Sequence, residues 1–375
     1  MNHWKETAEI QARLAELAAA GRRAALATVV DIVGSAYRRP GAKFLVEDTG
    51  GTLGSVSGGC LEADVREVAK EVVASGRPSL RHYNTGDEDP VFGLGLGCNG
   101  LVDVFVQPAT DGPLASLAAG LRERLAGDAP FALATVLTGD DAGATAAIDP
   151  HEPVGDGVMS EIARHLRGAL AAGHSGLRVV SVSPRGEPTG VHEVGGRKVF
   201  LEVLAPPPHL VICGAGDDAR PLVAYAADAG FRVTLFDHRP ALLAAEWFPQ
   251  AARREVARAE DLEVVLPPAG RSLAVVKTHS LAHDREWVRR LLAAGVSYVG
   301  VLGPRARTES ILRDVLAGHR LEGDERERVF GPVGLDLGAD GPRQVAISIV
   351  AELLAFTARR EPRHLSARPE AIHAG

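Results

Sequence analysis

Cysteine is scarce in this chain: Cys60, Cys98 and Cys213 are the only three in 375 residues. An odd number of widely spaced cysteines excludes a disulfide framework, and no C-x-x-C pair offers zinc-ligand spacing. If these residues act, they act as thiols in a reducing compartment. Long apolar runs are missing as well. No stretch of about 18 apolar residues occurs, so no membrane span is expected. The first twenty residues read as an amphipathic helix built on Trp4, Ile10, Leu14 and Leu17, not as a secretion signal. The expected location is the cytoplasm. Blocks of like charge are absent too. The formal net charge is −7 and the arginines are scattered, which argues against the basic stripe of a nucleic-acid surface. There is no Walker lysine motif and no Ser-His-Asp elbow. His3, His82 and His192 show no metal-ligand spacing.

What is present is an ordinary globular composition, 46% hydrophobic and 24% charged, on a chain long enough for two or three domains. Strands are expected at 24–32, 42–47, 52–56, 79–83 and 101–106, with a helix at 61–74. Two loops interrupt them: GSAYRRPG at 34–41, carrying Arg38 and Arg39, and GLGLGCNG at 93–100, carrying Cys98. The pattern then restarts. LATV at 26–29 returns at 133–136, a second helix is expected at 160–173, and GLVDVFVQP at 100–108 is echoed by RKVFLEVLAP at 197–206. Residues 24–108 and 130–205 therefore read as two divergent copies of one α/β unit inside an N-terminal domain, 1–205. The second copy lacks the Gly-Gly-Cys turn, the Arg-Arg-Pro loop and the Gly-Leu-Gly-Cys loop. A feature needed only to build the unit should recur in both copies, so these three mark a site.

The sharpest of them is GSVSGGCLEADV at 54–65. Its glycines permit a tight turn that exposes backbone N–H groups, and the helix that follows directs its positive end to the same place. Gly58 and Gly59 thus bring Cys60, a soft nucleophile or sulfur ligand, beside an anion cradle. The bland alternative is a buried cysteine at a strand-to-helix turn.

Three prolines, 206–208, mark a linker, and a second domain is expected over 206–360, with a disordered tail at 361–375. An apolar strand at 209–213 runs into GAGDDA, followed by a helix and a strand that ends at Asp237, 23 positions beyond Gly214. This is a G-x-G-x-x-A phosphate turn, with Gly214 and Gly216, opening a Rossmann-type βαβ unit. A nucleotide is a weaker inference, because Asp217 and Asp218 stand where an anion would bind. Later strands end at Lys277-Thr278-His279-Ser280 and at Gly303-Pro304-Arg305-Ala306-Arg307. In an open parallel sheet these loops share the ligand rim. Arg305 and Arg307 suit a phosphate. His279, with Asp284 near enough in sequence to orient it, is the acid–base candidate, weighed equally against a helix cap. Lys277 reads as a phosphate ligand or a surface lysine, Asp237 as a strand-end cap or ribose ligand, and Cys213 as core. On these residues alone, an NAD(P)-dependent oxidoreductase is one reading.

Taken in order, GSAYRRPGAKFLV, GSVSGGCLEADV, GLGLGCNG, PPPHLVICGAGDDARPL, VTLFDHRP, YVGVLGPRARTESIL and VGLDLGADGPRQVAISIVAE resemble the XdhC/CoxI family over most of the chain. The resemblance implies an N-terminal XdhC/CoxI α/β domain and a C-terminal Rossmann-like domain. It also implies a cytosolic accessory protein without turnover of its own. Such a protein binds the molybdenum cofactor (a pterin with a dithiolene-held metal and a phosphate). It protects the cofactor during sulfuration by a cysteine desulfurase and hands it to a xanthine dehydrogenase-type apoenzyme. By the family motif Cys60 is the cofactor contact, through the molybdenum or the pterin, with Cys98 second and the basic loops of Arg38, Arg39, Arg305 and Arg307 serving the phosphate. The chain departs from the family pattern at Lys277, where a methionine is usual. A homodimer is the ordinary expectation for a cytosolic protein of this size.

Overall fold

The computed structural model describes residues 3–34, 36–84, 100–148, 190–194, 196–264, 272–318 and 325–367. The loop at 93–99 with Cys98, the helix expected at 160–173 and the end of the tail from 368 lie outside them. The chain divides into two compact units, Met1–Pro206 with Leu365–Gly375, and Pro207–His364.

The first unit opens with helix α1 (His3–Ala19), followed by strands β1 (Ala24–Gly34), β2 (Lys43–Glu47) and β3 (Thr52–Gly54). Helix α2 (Glu62–Ser75) leads to β4 (Ser79–Asn84) and β5 (Gly100–Pro108). The five strands form an antiparallel sheet in the order β3-β2-β1-β5-β4. Helix α3 (Gly112–Ala126), not anticipated from the sequence, connects to a second sheet. That sheet comprises β6 (Phe131–Val136), β7 (Thr145–Ile148), β8 (Gly190–Val194) and β9 (Arg197–Leu204), in the order β7-β6-β9-β8. Without β3, the first sheet runs β2-β1-β5-β4, so the two sheets share one strand order and one antiparallel pairing scheme. The recurring LATV segments occupy the same inner strand of each, β1 and β6.

The apolar run of β1 is buried on both faces, which is why it lacks polar alternation. Ala25, Ala27 and Val29 pack under α2 with Val65, Val68 and Val72. On the other face, Leu26 joins Leu14 and Leu17 of α1 and Phe131 and Leu133 of β6, while Val30 meets Phe200 of β9. Across this interior Lys43 of β2 pairs with Glu202 of β9, both buried, and Lys43 also donates to the Gly41 carbonyl at 3.0 Å.

The second unit is a doubly wound α/β fold. Strands β10 (His209–Cys213), β11 (Arg232–Asp237), β12 (Arg253–Val256), β13 (Ser272–Val276), β14 (Tyr298–Val301) and β15 (Val329–Phe330) form an all-parallel sheet ordered β12-β11-β10-β13-β14-β15. Helices α4 (Ala219–Asp228) and α7 (Gly341–Thr357) cover one face, packing on Leu210, Ile212, Leu235 and Val275. Helices α5 (Leu281–Ala293) and α6 (Arg305–Gly318) cover the other, packing on Val211, Cys213, Val276 and Val299. The sheet is near-continuously apolar because both faces are covered. Cys213 is fully buried, as expected of a core residue, and burial pushes its thiol well up. The chain order reverses between β10 and β13, the switch point at which such sheets hold ligands. Among the described residues, no helix is long and apolar enough to cross a membrane.

Candidate functional site

The turn between β3 and α2 is held at both ends by buried side chains, Val56 and Leu61. Between them the backbone rises to the surface through Gly58 and Gly59, at φ 99° and 127°, a region that only glycine enters at little cost. Cys60 caps the rise as an exposed, free thiol. The sequence places an anion cradle here, and the structure shows that the cradle is already filled. The carboxylate of Glu62, in the first turn of α2, folds back over it. It accepts from the backbone N–H groups of Val56, Ser57 and Gly59 at 3.1, 2.9 and 2.8 Å, and from that of Gly58 at 3.3 Å. The hydroxyls of Ser55 and Ser57 donate to it at 3.0 and 2.5 Å. Ser57 in turn accepts from Leu61 N–H at 2.9 Å. Burial raises the pKa of Glu62, but these donors outweigh it and hold the carboxyl down at about 2. Glu62 therefore braces the turn as an anion. A carboxylate three residues beyond a glycine, bonding back to its N–H, is half of a capping box, and that spacing was visible in the sequence.

Tyr37 adds a second feature that sequence reasoning missed. Its ring, on a residue 74% exposed, lies against Gly58, where an added Cβ would stand 2.9 Å from ring carbon Cδ1. The neighbouring basic loop is less available than expected. Both oxygens of Glu6 accept from Arg38 Nη2 at 2.7 Å, so the charge of Arg38 is matched by an acidic side chain of α1. Arg39 is exposed.

In the second unit Gly214, Asp237, Lys277, His279 and Arg305 all stand at the C-terminal rim of the sheet. The partnerships differ from those expected. Gly214, at φ 115°, lets β10 approach the loop after β13 so closely that a Cβ would fall 2.5 Å from the Lys277 carbonyl oxygen. Asp237 accepts from Ala215 N–H at 2.8 Å and from the backbone and guanidinium of Arg239 at 2.9 Å. Burial raises its pKa, but the Arg239 and Ala215 donors bring it to about 2. Both its oxygens are engaged, so it braces the glycine turn, in keeping with the strand-end role weighed beside a ribose contact. Gly216 lies beside the Asp218 carboxylate, 2.8 Å from an added Cβ.

His279 does not pair with Asp284. Its Nε2 lies 3.1 Å from Asp218, whose other oxygen accepts from the ammonium of Lys277 at 2.6 Å. Asp284 is fully buried and turned toward Thr278, accepting from its N–H at 3.0 Å and its hydroxyl at 2.5 Å. Arg307 donates to Asp284 from Nε at 3.0 Å and Nη2 at 2.7 Å. Asp284 and Arg307 are thus partners within the fold, and Arg305 is exposed in the first turn of α6. Lys277, read from the sequence as a phosphate ligand or a surface lysine, is 2% exposed, which excludes the second reading. His279 takes φ 62°, a left-handed conformation uncommon outside glycine, though Asn, Asp and His enter it more often than other residues. Among the described residues, no group of three or more His, Cys, Asp or Glu side chains is placed to hold a metal ion.

Comparison with known proteins supplies the context. The family model described as "XdhC and CoxI family" matches residues 17–84, and that of the "XdhC Rossmann domain" matches residues 210–353. A Bacillus subtilis protein, named as a probable subunit of xanthine dehydrogenase, is 30% identical over 339 residues, 88% of this chain and 92% of that one. "Molybdenum cofactor insertion chaperone PaoD" of Escherichia coli is 41% identical over 80 residues, 21% of this chain and 24% of its own length. The crystal structure of a xanthine dehydrogenase from Bacillus halodurans superposes with a TM-score of 0.73 at 27% identity, covering 96% of this chain and 98% of the other.

Proposed function

Since the chain belongs to the XdhC and CoxI family, we propose that it binds the molybdenum cofactor and assists its sulfuration and insertion into a xanthine dehydrogenase-type apoenzyme. The observation that carries this reading is the exposed Cys60 thiol at the tip of a turn braced by Glu62. The names of the Escherichia coli and Bacillus subtilis relatives support it.

The cofactor is cargo here, and the residues of the turn hold it. A thiolate is a soft ligand, suited to a metal that already carries dithiolene sulfur. Glu62 fixes the turn, so the thiol is presented in one position without an ordering cost at binding. The backbone cradle is filled by Glu62, so the phosphate arm of the cargo is not assigned to it. The arginines of the neighbouring loop, Arg38 and Arg39, suit that arm. Sulfur for the cargo comes from a cysteine desulfurase, and the site of action is the reducing cytoplasm, where a free thiol survives.

The test is a transfer assay. Protein purified from cofactor-producing cells should carry pterin in stoichiometric amount, measured as its fluorescent oxidation product. It should also raise the activity of an apo-dehydrogenase, and raise it further when a cysteine desulfurase is present. Absence of bound pterin together with no gain in dehydrogenase activity refutes the proposal. The strand order of the second unit keeps NAD(P) binding as an alternative. Against it stand Asp218 at the glycine turn and the engaged oxygens of Asp237. Titration of NADH fluorescence decides: no change up to millimolar concentration removes that reading.

A further inference from the structure

A cavity of about 200 Å³ opens on the α4 and α7 face of the second unit, beside the C-terminal end of β13. Leu222, Leu302, Val345 and Ile349 give it an apolar wall, and Lys277 and Asp218 form its polar end. Lysine is a rare choice in this chain: only five of the 41 basic side chains are lysines, at 5, 43, 70, 198 and 277. An arginine cannot release its proton, whereas a desolvated lysine can. Burial lowers the pKa of Lys277 against the opposing pull of Asp218. The Asp218 carboxylate, 2.6 Å from Lys277 Nζ and 3.1 Å from His279 Nε2, joins the buried amine to an imidazole that is 62% exposed. The backbone of His279 is left-handed, at φ 62°.

We propose that Lys277 is a carbonyl-reactive amine, condensing reversibly with a small apolar aldehyde or ketone held in this cavity while Asp218 and His279 pass protons between amine and solvent. Lys277 gives a proton to Asp218, and its nitrogen lone pair forms a C–N bond to the carbonyl carbon as the C=O π pair moves to oxygen. That oxygen takes this proton back from Asp218 and a second one that the now cationic nitrogen releases through Asp218, and it leaves as water as the restored nitrogen lone pair closes the C=N bond. The sum is ammonium plus carbonyl giving iminium plus water, with nothing oxidised or reduced. The proposal does not rest on the cofactor reading, since Lys277 and the Cys60 turn belong to different units.

The test traps the iminium on the full chain with isobutyraldehyde and cyanoborohydride, the latter supplying hydride, at neutral pH. Peptide mass spectrometry then reads alkylation at each of the five lysines separately. Lys277 is expected to react about tenfold faster than Lys70, which is exposed. His279→Ala should slow Lys277 and leave Lys70 unchanged. Glyoxylate, a polar carbonyl, should show no preference for Lys277. Reaction at Lys277 no faster than at Lys70 overturns the proposal, and an unchanged rate in His279→Ala overturns the proton path. Equal preference for Lys277 with glyoxylate overturns the apolar cavity as the source of selection. Should His279→Ala fail to fold, the comparison among lysines of the unaltered chain still decides.

Discussion

Each unit of the chain carries a glycine-rich turn that delivers a strand to a helix N-terminus, and in each an internal carboxylate takes backbone N–H groups that such a turn offers. Glu62 takes four of them before α2, and Asp237 takes that of Ala215 before α4. The difference lies in what remains open. In the first unit the brace is local, a side chain of the helix's own first turn, and the thiol beside it stays exposed. In the second the brace is long-range. Gly214 packs against the Lys277 backbone, and Asp218 closes on Lys277 and His279. A glycine pattern alone therefore does not announce a phosphate site, because the chain's own carboxylates compete for the same donors.

The contrast predicts a graded response to substitution. The largest effect is expected from Asp284→Ala, which strands the Arg307 guanidinium and the Thr278 N–H beneath the second turn. Chemical denaturation should show a loss of about 3–5 kcal/mol. Next is the pair Gly214→Ala and Gly59→Ala. Both residues have positive φ, but a Cβ at Gly214 meets backbone at 2.5 Å whereas one at Gly59 meets nothing within 4 Å. Losses of about 3 and about 1 kcal/mol are expected in the same measurement. Equal losses would mean that strain alone, not close approach, distinguishes the turns.

Glu62→Gln should cost about 1–3 kcal/mol, because the neutral amide leaves N–H donors of the turn poorly matched. It should also flatten the acid limb of the stability profile. Glu62 has its carboxyl lowered from 4.5 to about 2 in the folded chain. Its contribution is therefore complete above the unfolded value and is lost as pH falls from about 4.5 toward 2. Unfolding curves across that range should separate Glu62→Gln from the unaltered protein at pH 6 and bring them together near pH 2. Cys60→Ala should change stability least, by no more than about 0.5 kcal/mol, because the side chain is exposed.

The second unit was legible in the sequence because its signals are local: an apolar strand, a glycine turn, a helix, then Asp237 at the next strand end. The repeated LATV segment lies on β1 and β6, which hold matching places in the order of the two sheets. Side-chain partnerships were not legible. His279 and Asp284 are five residues apart, close enough to suggest a pair. The first turn of α5 instead directs Asp284 inward, to Arg307 from the helix after the next strand. For Lys277 a phosphate ligand and a surface lysine stood level, because nothing local shows that Asp218, 59 positions earlier, waits beside it. Glu62 was in plain view as an acidic residue in a first helical turn. Its role was hidden because the same N–H groups that could receive a ligand can also receive a side chain.

The most direct test of the account is the stoichiometry of molybdopterin binding by the full chain and by Cys60→Ala, measured side by side on folded protein. About one pterin per chain is expected for the unaltered protein, with affinity weakened at least about tenfold in the variant. Equal binding by the two would contradict it and remove Cys60 from the site.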